Sequence, residues 1–221
     1  MKAVLFGASG MVGQGVLRAC LLDDRVEGVV LVTRSPLGRR HPKLREIVHR
    51  DFTDFSAIED QLTGLDACFY CLGVSAAGRG ADEYRLVTHT YTLAAAQALA
   101  RHNPALTFVY VSGEGTDGTG QARAAWARVK GETENDLLAM DFHAYMFRPG
   151  WIQPRHKERS RTRWYRVMYR LTSWLFPVMR RLAPRHTTTT EHMGRAMIAV
   201  AGLGGAGPRI LHSPEINRLG A

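Results

Sequence analysis

The sequence has few of the features that mark secreted or membrane-spanning proteins. Its three cysteines in 221 residues are too few for a disulfide-rich secreted fold, and we expect them to be reduced thiols. No uninterrupted apolar run reaches the roughly 18 residues of a membrane span. The apolar residues after Lys2 run into Gly7 and Gly10 rather than into a small-residue cleavage site, which argues against a secretory signal. These absences predict a cytoplasmic protein.

One segment of the chain has a large excess of positive charge, whereas the rest is balanced. Residues 155–185 contain ten Lys and Arg and one acid, whereas bases and acids are equal in number over the rest of the chain. The pattern predicts a charged loop followed by a basic amphipathic helix over Trp164–Met179. This helix could be a packed lobe element with a solvated basic face, a lid that meets an anionic ligand, or a contact with an anionic membrane. No nucleic-acid-binding motif accompanies it, so no nucleic-acid partner is expected.

Strand and helix patterns alternate over the first two thirds of the chain, which predicts a doubly wound parallel sheet of the α/β class. Several of the strands are near-continuous apolar runs, as in a sheet buried on both faces. The expected strands are Lys2–Phe6, Gly28–Thr33, Glu46–Arg50, Ala67–Leu72, Thr107–Ser112, Ala144–Phe147 and Arg209–His212. The expected helices are Met11–Leu22, Phe55–Gln61, Tyr84–Ala100, Ala122–Ala139 and Thr187–Val200, and Pro214–Leu219 is expected to be a terminal turn or helix.

Three glycines spaced three apart follow the first strand and open the first helix. In this strand–turn–helix context, Gly7, Gly10 and Gly13 favour a site for a pyrophosphate, because backbone N–H groups and the helix dipole point at the anion and no side chain blocks it. We expect the intervening residues Ser9, Met11 and Val12 to line the same cradle.

The ends of the next strands specify the dinucleotide. Arg34 lies 21 residues after Gly13, where an NAD site carries an acidic residue for the ribose 2′-hydroxyl. A cation followed by the hydroxyl of Ser35 suits a 2′-phosphate, so the sequence predicts NADP(H). Further contacts are expected from residues at the ends of the third and fourth strands, namely Asp51, Phe52, Leu72 and Gly73.

Two other groups of residues do not predict metal or redox chemistry. Cys68 and Cys71 have CxxC spacing, but an offset of three within a strand places the side chains on opposite faces, so we expect separate buried thiols. His186 and His192 lack a third ligand at metal-site spacing and are expected to be surface histidines. No metal site is predicted.

Taken together, the ordered motifs resemble the atypical short-chain dehydrogenase/reductase (SDR) superfamily, and within it the group that contains the HIV Tat-interacting protein. The resemblance runs nearly the full length of the chain. It is carried by Gly7-Ala-Ser-Gly10-Met-Val-Gly13, Cys71-Leu72-Gly73, Val111-Ser112-Gly113-Glu-Gly115-Thr-Asp117, Val129-Lys130-Gly131-Glu132, Phe147-Arg148-Pro149-Gly150 and Glu215-Ile216-Asn-Arg-Leu219-Gly220.

The resemblance implies a Rossmann-type fold that binds NADP(H). It implies a single NAD(P)-binding domain over 1–221, with a core over 1–150 and a small, mostly helical lobe over 151–221. It adds Arg148, Pro149 and Gly150 along the nicotinamide, and Lys130 as the lysine that holds the nicotinamide ribose. By the same resemblance, Ser112 stands near the serine that orients the substrate carbonyl.

The sequence departs from the family at the reacting position. Trp126 stands four residues before Lys130, where the family carries its proton-transferring tyrosine, and the serine position reads Ser112-Gly113. An indole N–H donates a hydrogen bond but transfers no proton near neutral pH.

Three interpretations follow from this departure. Another group could replace the phenol, the candidates being Tyr110, Asp117, His156 and Tyr165. Hydride could pass to an acceptor that needs no general acid, such as a flavin or a quinone. Alternatively, the protein binds NADP(H) without catalysis, as a regulatory or membrane-peripheral protein. We expect an oxidoreductase that acts on a small molecule; the sequence assigns neither that substrate nor an oligomeric state.

Overall fold

The structure, a computed structural model, describes residues 1–155 and 184–221. Within these residues, seven parallel strands form one sheet: β1 (Lys2–Phe6), β2 (Gly28–Thr33), β3 (Leu44–Val48), β4 (Ala67–Tyr70), β5 (Thr107–Val111), β6 (His143–Arg148) and β9 (Ile210–His212). Their order across the sheet is β3-β2-β1-β4-β5-β6-β9. The predicted Rossmann-type doubly wound sheet is confirmed.

Helices cover both faces of this sheet. They are α1 (Met11–Leu22), α2 (Ala81–Arg85), α3 (Tyr91–His102), α4 (Ala125–Leu138), α5 (Thr190–Ala201) and α6 (Ser213–Leu219). A π-helical turn (Leu86–Thr90) joins α2 to α3, so the helix expected over Tyr84–Ala100 starts earlier and contains a wider turn. Short 3₁₀ segments occupy Ser56–Leu62 and Pro184–His186.

Alternate side chains of each strand enter opposite halves of the core. Leu5 and Phe69 pack with α1 and α5, whereas Phe6 and Tyr70 pack with α3 and the 3₁₀ segment. The two cysteines of the CxxC spacing follow the same alternation: Cys68 belongs to the second cluster and Cys71 packs against the first. Both are free thiols; Cys68 is buried as expected, whereas Cys71 is only half-buried.

The chain after residue 184 is built into the same layers as its beginning. Strand β9 pairs with β6, and α5 packs along α1. Two glycines permit this close approach, because a Cβ on Gly15 would lie 2.6 Å from the Cβ of Thr190 and one on Gly194 would lie 2.6 Å from the Cβ of Ala19.

One expected helix begins as a strand. Thr187–Thr189 forms β8, which pairs in parallel with β7 (Trp151–Gln153), and the helix starts only at Thr190. The reason is that three consecutive β-branched residues favour extended backbone once a partner strand is present. The Thr189 hydroxyl then caps α5 by accepting a hydrogen bond from the His192 N–H at 3.0 Å.

Some predictions fall on residues 156–183, outside the described residues. These are the helix over Trp164–Met179, nearly all of the basic segment, and the candidate proton donors His156 and Tyr165. Among the helices of residues 1–155 and 184–221, none has the length and apolar character of a membrane span.

Candidate active site at the carboxyl edge of the sheet

A groove of about 550 Å³ runs over the carboxyl ends of the central strands. This is the edge at which parallel α/β sheets bind their ligands, beside the point where strand order reverses. Of the predicted site residues, the groove is lined by Gly7, Ser9, Gly10, Met11, Val12, Arg34, Phe52, Leu72, Gly73 and Lys130. An adjoining pocket of about 280 Å³ shares Arg34 and Phe52 and adds Ser35.

The glycine turn forms the floor of this groove because backbone there passes closer to backbone than any side chain permits. Gly7 has a φ of +80°, and a Cβ on it would lie 2.6 Å from the backbone of Cys71. A Cβ on Gly13 would lie 2.2 Å from the Gly7 carbonyl oxygen. Gly13 therefore does not line the groove; its small size lets α1 rest on the turn.

The start of α1 presents unpaired donors to the groove. Gly10 precedes the helix and donates its N–H to the Gly7 carbonyl at 2.9 Å, which tightens the turn. The N–H groups of the first helical turn have no acceptor within the helix, and Met11 and Val12 of that turn line the groove. Partial positive charge at this end favours an anion such as a diphosphate.

The end of β2 supplies a cation that no acid of residues 1–155 and 184–221 neutralises. Arg34 is exposed and has no acidic partner in the part of the chain that the structure describes. The loop that carries it is anchored from β3, because Glu46 accepts hydrogen bonds from the Thr33 hydroxyl at 3.2 Å and from the Leu37 N–H at 2.7 Å. Arg34 is thus held at the groove while its charge stays available.

The end of β3 contributes an aromatic wall and not a carboxylate. Phe52 lines both the groove and the adjoining pocket. The Asp51 carboxylate lies outside them, accepting hydrogen bonds from the hydroxyl and the N–H of Thr53, and these bonds hold the pKa of Asp51 below its usual value. Asp51 therefore shapes a turn beside the site.

Lys130 brings an ammonium group to the other part of the groove. It projects from α4, is partly buried, and donates a hydrogen bond from Nζ to the carbonyl oxygen of Ser112. Loss of hydration lowers the pKa of Lys130 to about 8, and the nearby negative charge of Glu134 opposes that fall. Lys130 is therefore mostly charged at neutral pH.

The Ser112 hydroxyl lies in the interior and not on the groove surface. Ser112 is 2% exposed, and its Oγ donates to the carboxylate of Glu134. The residue that borders the lysine is Gly113, where a Cβ would lie 4.0 Å from the Lys130 Nζ. A serine at Gly113 would be strained, since this glycine has a φ of +111°.

Trp126 likewise does not line the groove. Its side chain is partly buried and packs on the loop after β5, with Cη2 only 3.2 Å from the place of a Cβ on Gly115. Two of the residues considered as replacements for the missing phenol have structural roles away from the groove. Tyr110 is 2% exposed within the core, and Asp117, with a pKa of about 2, accepts hydrogen bonds that close the turn before α4.

The stretch Arg148-Pro149-Gly150 is used to join elements rather than to line the groove. Arg148 forms a buried ion pair with Glu134. The Pro149 carbonyl accepts a hydrogen bond from the Glu114 N–H at 2.9 Å. Gly150 fits against residue 186, because a Cβ there would lie 2.3 Å from the His186 carbonyl oxygen.

Sequence reasoning did not single out Glu134, which binds both Ser112 and Arg148 while being 1% exposed. Its spacing from Lys130 was the available signal, since residues four apart share a helical face.

The histidines noted in the sequence have ordinary partners: the His186 ring bonds Glu114, and the His192 ring lies 3.0 Å from Asn217 Oδ1. A third histidine, His89, lies with Glu132 and Asp136 in a small surface cluster. Arg85 already neutralises Glu132 there through two hydrogen bonds of 2.6 and 2.7 Å.

The model of the NAD-dependent epimerase/dehydratase family matches residues 3–133, which include the glycine turn, β1 to β5 and Lys130. The chain belongs to this family. The SDR resemblance drawn from its motifs is thereby supported at family level, and the matched family is one that depends on NAD.

Relatives of known name support this assignment. "Protein FMP52, mitochondrial" of Saccharomyces cerevisiae is 31% identical over 153 residues, 68% of this chain and 65% of that protein. "Protein fmp52-2, mitochondrial" of Aspergillus oryzae is 27% identical over 162 residues, 72% of this chain and 70% of that protein. The prediction of a cytoplasmic location is wrong by this comparison, because these relatives are named as mitochondrial proteins.

Solved structures agree in fold. An SDR-family oxidoreductase from Burkholderia thailandensis superposes with a TM-score of 0.70 at 18% identity, covering 96% of this chain and 90% of that one. MoeE5 in complex with UDP-glucose and NAD gives a TM-score of 0.67 at 15% identity, covering 96% of this chain and 75% of that one. At these identities the likeness concerns the fold alone.

Proposed function

We propose that the groove binds NADP(H) and that the protein is an oxidoreductase acting on a small molecule. The observation that carries this proposal is that one groove is lined by Arg34, by the glycine turn and by Lys130. The shape of the groove also fits a dinucleotide. There is open space beside Gly73 in the groove wall, where a Cβ would meet no atom within 4 Å, whereas the glycine turn of the floor has no room for a side chain.

Each part of the groove has a distinct task in this proposal. Arg34 and Ser35 hold the 2′-phosphate, the N–H groups at the start of α1 hold the diphosphate, and the Lys130 ammonium holds the nicotinamide ribose. Phe52, Leu72 and Gly73 form the walls. When bound, the cofactor supplies or accepts hydride. Five predicted contacts are left out because they line neither the groove nor the adjoining pocket: Gly13, Asp51, Arg148, Pro149 and Gly150.

The groups expected to transfer a proton beside Lys130 do not reach the groove, which favours a hydride acceptor that needs no proton from them. Trp126, Tyr110 and the Ser112 hydroxyl are each held away from the groove. A quinone or a flavin meets this requirement, since it takes up hydride and obtains the accompanying proton from water. Lys130 then serves to bind and orient.

The same observations support one alternative, a protein that binds NADP(H) as a regulatory ligand without turnover. In that case the basic segment 155–185 is a candidate for contact with an anionic membrane. Under either alternative, we also propose that the protein is related to the group containing the HIV Tat-interacting protein. The ordered motifs of the chain support this relationship.

Calorimetric titration with NADPH and NADH tests the cofactor assignment. We expect the wild type to prefer NADPH, and Arg34→Ala to lose about 10- to 100-fold in NADPH affinity with little change for NADH, as for a charge-assisted hydrogen bond of about 1.5–3 kcal/mol. Arg25→Ala is the matched control, because Arg25 precedes β2, binds Asp23, and lies outside the groove.

Equal wild-type affinities, or an unchanged preference in Arg34→Ala, would refute the NADP(H) assignment. Absence of binding for both dinucleotides would refute the proposal as a whole. Turnover is then measured as NADPH oxidation with quinones, flavins and carbonyl compounds. Tight binding without oxidation by any of them would decide for the regulatory alternative.

A further inference from the structure

Glu134 is a charged side chain in a place where charge is costly. It lies on α4 and is 1% exposed. A buried carboxylate requires hydrogen-bonding partners to offset its lost hydration. The partners found here come from the ends of two strands at the candidate active site.

The first partner ends β6. The Arg148 Nε lies 3.1 and 3.2 Å from the two carboxylate oxygens of Glu134, and the Arg148 Nη2 also donates to Oε2. This forked arrangement fixes the direction of both side chains. It ties α4 to the strand that precedes the Pro149-Gly150 turn.

The second partner follows β5 and leads back to the lysine. The Ser112 hydroxyl donates to Glu134, while the Ser112 carbonyl accepts the hydrogen bond of the Lys130 Nζ. One residue thus joins the buried carboxylate to the ammonium in the groove. The Ser112 N–H is itself fixed to the Phe147 carbonyl at 2.9 Å.

Electrostatics acts in the same direction. Glu134 lies one helical turn after Lys130, and its charge raises the pKa of Lys130 against the effect of lost hydration. The guanidinium of Arg148 compensates part of that charge. Glu134 therefore helps to fix the position of the Lys130 ammonium group and helps to keep that group protonated.

We infer that Glu134 is a positioning residue of this site: its buried carboxylate fixes the ends of β5 and β6 so that the Ser112 carbonyl holds the Lys130 ammonium at the groove wall. It is not a catalytic residue, since it does not line the groove. The inference rests on the proposed function for its meaning, because the held ammonium is the one assigned to the nicotinamide ribose.

The test compares Glu134→Gln and Glu134→Asp with Glu132→Gln. Glu132 is the matched control, a partly exposed carboxylate on the same helix that pairs with Arg85. Two quantities are measured: the dissociation constant for NADPH at pH 7, and the titration midpoint of Lys130 from ¹³C NMR of lysine Cε. The spectrum is simple, because the chain has only four lysines, which are Lys2, Lys43, Lys130 and Lys157. Lys130→Arg assigns the signal.

We expect Glu134→Gln to weaken NADPH binding about tenfold and to lower the Lys130 midpoint by about one pH unit. Glu134→Asp keeps the charge and should restore most of the midpoint. Glu132→Gln should leave both quantities at the wild-type value. An unchanged NADPH affinity in Glu134→Gln, or a weaker affinity with an unchanged Lys130 midpoint, would overturn the inference, because a purely structural role moves no midpoint.

Should Glu134→Gln fail to fold, Ser112→Ala supplies the test. It removes the hydroxyl link but leaves both charges, so NADPH affinity should fall about threefold with the Lys130 midpoint nearly unchanged. Wild-type affinity in Ser112→Ala would overturn the inference. Failure of the wild type to bind NADPH would instead refute the proposed function, and the Lys130 midpoints would still decide the role of Glu134.

Discussion

The two parts of the groove use their polar groups in opposite ways. Beside the glycine turn, Arg34 and the N–H groups of α1 are left without partners in the described protein and face open space. Beside Lys130, the polar side chains are paired with one another in the interior, where Glu134 engages both Ser112 and Arg148. The first part is built to meet a ligand, whereas the second holds one ammonium in position.

This difference separates binding from chemistry. A dinucleotide needs backbone donors, a free cation and an open channel, and all of these are present. Proton transfer in the family needs its own tyrosine and serine at the groove surface, and those two positions carry Trp126 and Gly113 here.

Gly13→Val should damage the binding part most. The new side chain would displace the Gly7 carbonyl, which lies 2.2 Å from the place of its Cβ. We expect a loss of about 3 kcal/mol or more in the free energy of unfolding, from overpacking and strain. NADPH binding should fall below detection in calorimetry.

Gly80→Ala is the control for that variant. A Cβ at Gly80 meets nothing within 4 Å, and its φ of −65° suits any residue. Urea unfolding should show wild-type stability for Gly80→Ala. Normal NADPH affinity in folded Gly13→Val would mean that the turn does not form the binding floor.

Trp126→Tyr tests whether the lysine part lacks only a proton donor. A phenol four residues before Lys130 restores the family's pair on one helical face, and general acid catalysis contributes about 10²- to 10⁴-fold. We expect at least tenfold faster carbonyl reduction by NADPH, followed at 340 nm. Trp126→Phe, which has a ring without a hydroxyl, should show no gain. An equal gain in both variants would assign the effect to ring size.

The smallest effect is a pH dependence. The pKa of Lys130 is lowered to about 8, so its ammonium is present below that pH and is lost as the pH rises through it. NADPH affinity should therefore weaken about threefold between pH 7 and pH 9, as measured by calorimetry. Lys130→Met should bind more weakly at pH 7 and show a flat profile. A wild-type profile as flat as that of Lys130→Met would remove Lys130 from the binding site.

Local signals allowed the sequence to predict the first elements of the fold well. The bounds of β1, α1 and β2 agree residue for residue, because an apolar strand, a glycine turn and a helix are written within a few residues of one another. The groove also brings together residues that are far apart in the chain. Three of them follow strands and one lies on a helix, all at the same edge of the sheet: Gly7, Arg34, Phe52 and Lys130.

The remainder depends on partners distant in the chain. Ser112 was placed in the site by its motif, but the direction of its hydroxyl is set by Glu134, 22 residues later. The threonines Thr187–Thr189 form a strand because β7 lies beside them, which no local pattern records. Asp51 was predicted as a ligand contact, yet its nearest donors belong to Thr53, two residues away.

The seam between α1 and α5 bears on how the molecule is assembled during synthesis. The helix whose beginning forms the proposed anion site is covered by a helix that starts 179 residues later, with Gly15 packed against Thr190 and Gly194 against Ala19. During synthesis, α1 therefore gains this packing partner only after the C-terminal part of the chain has been made. We expect a chain truncated before α5 to lose the support of the glycine turn near its N-terminus.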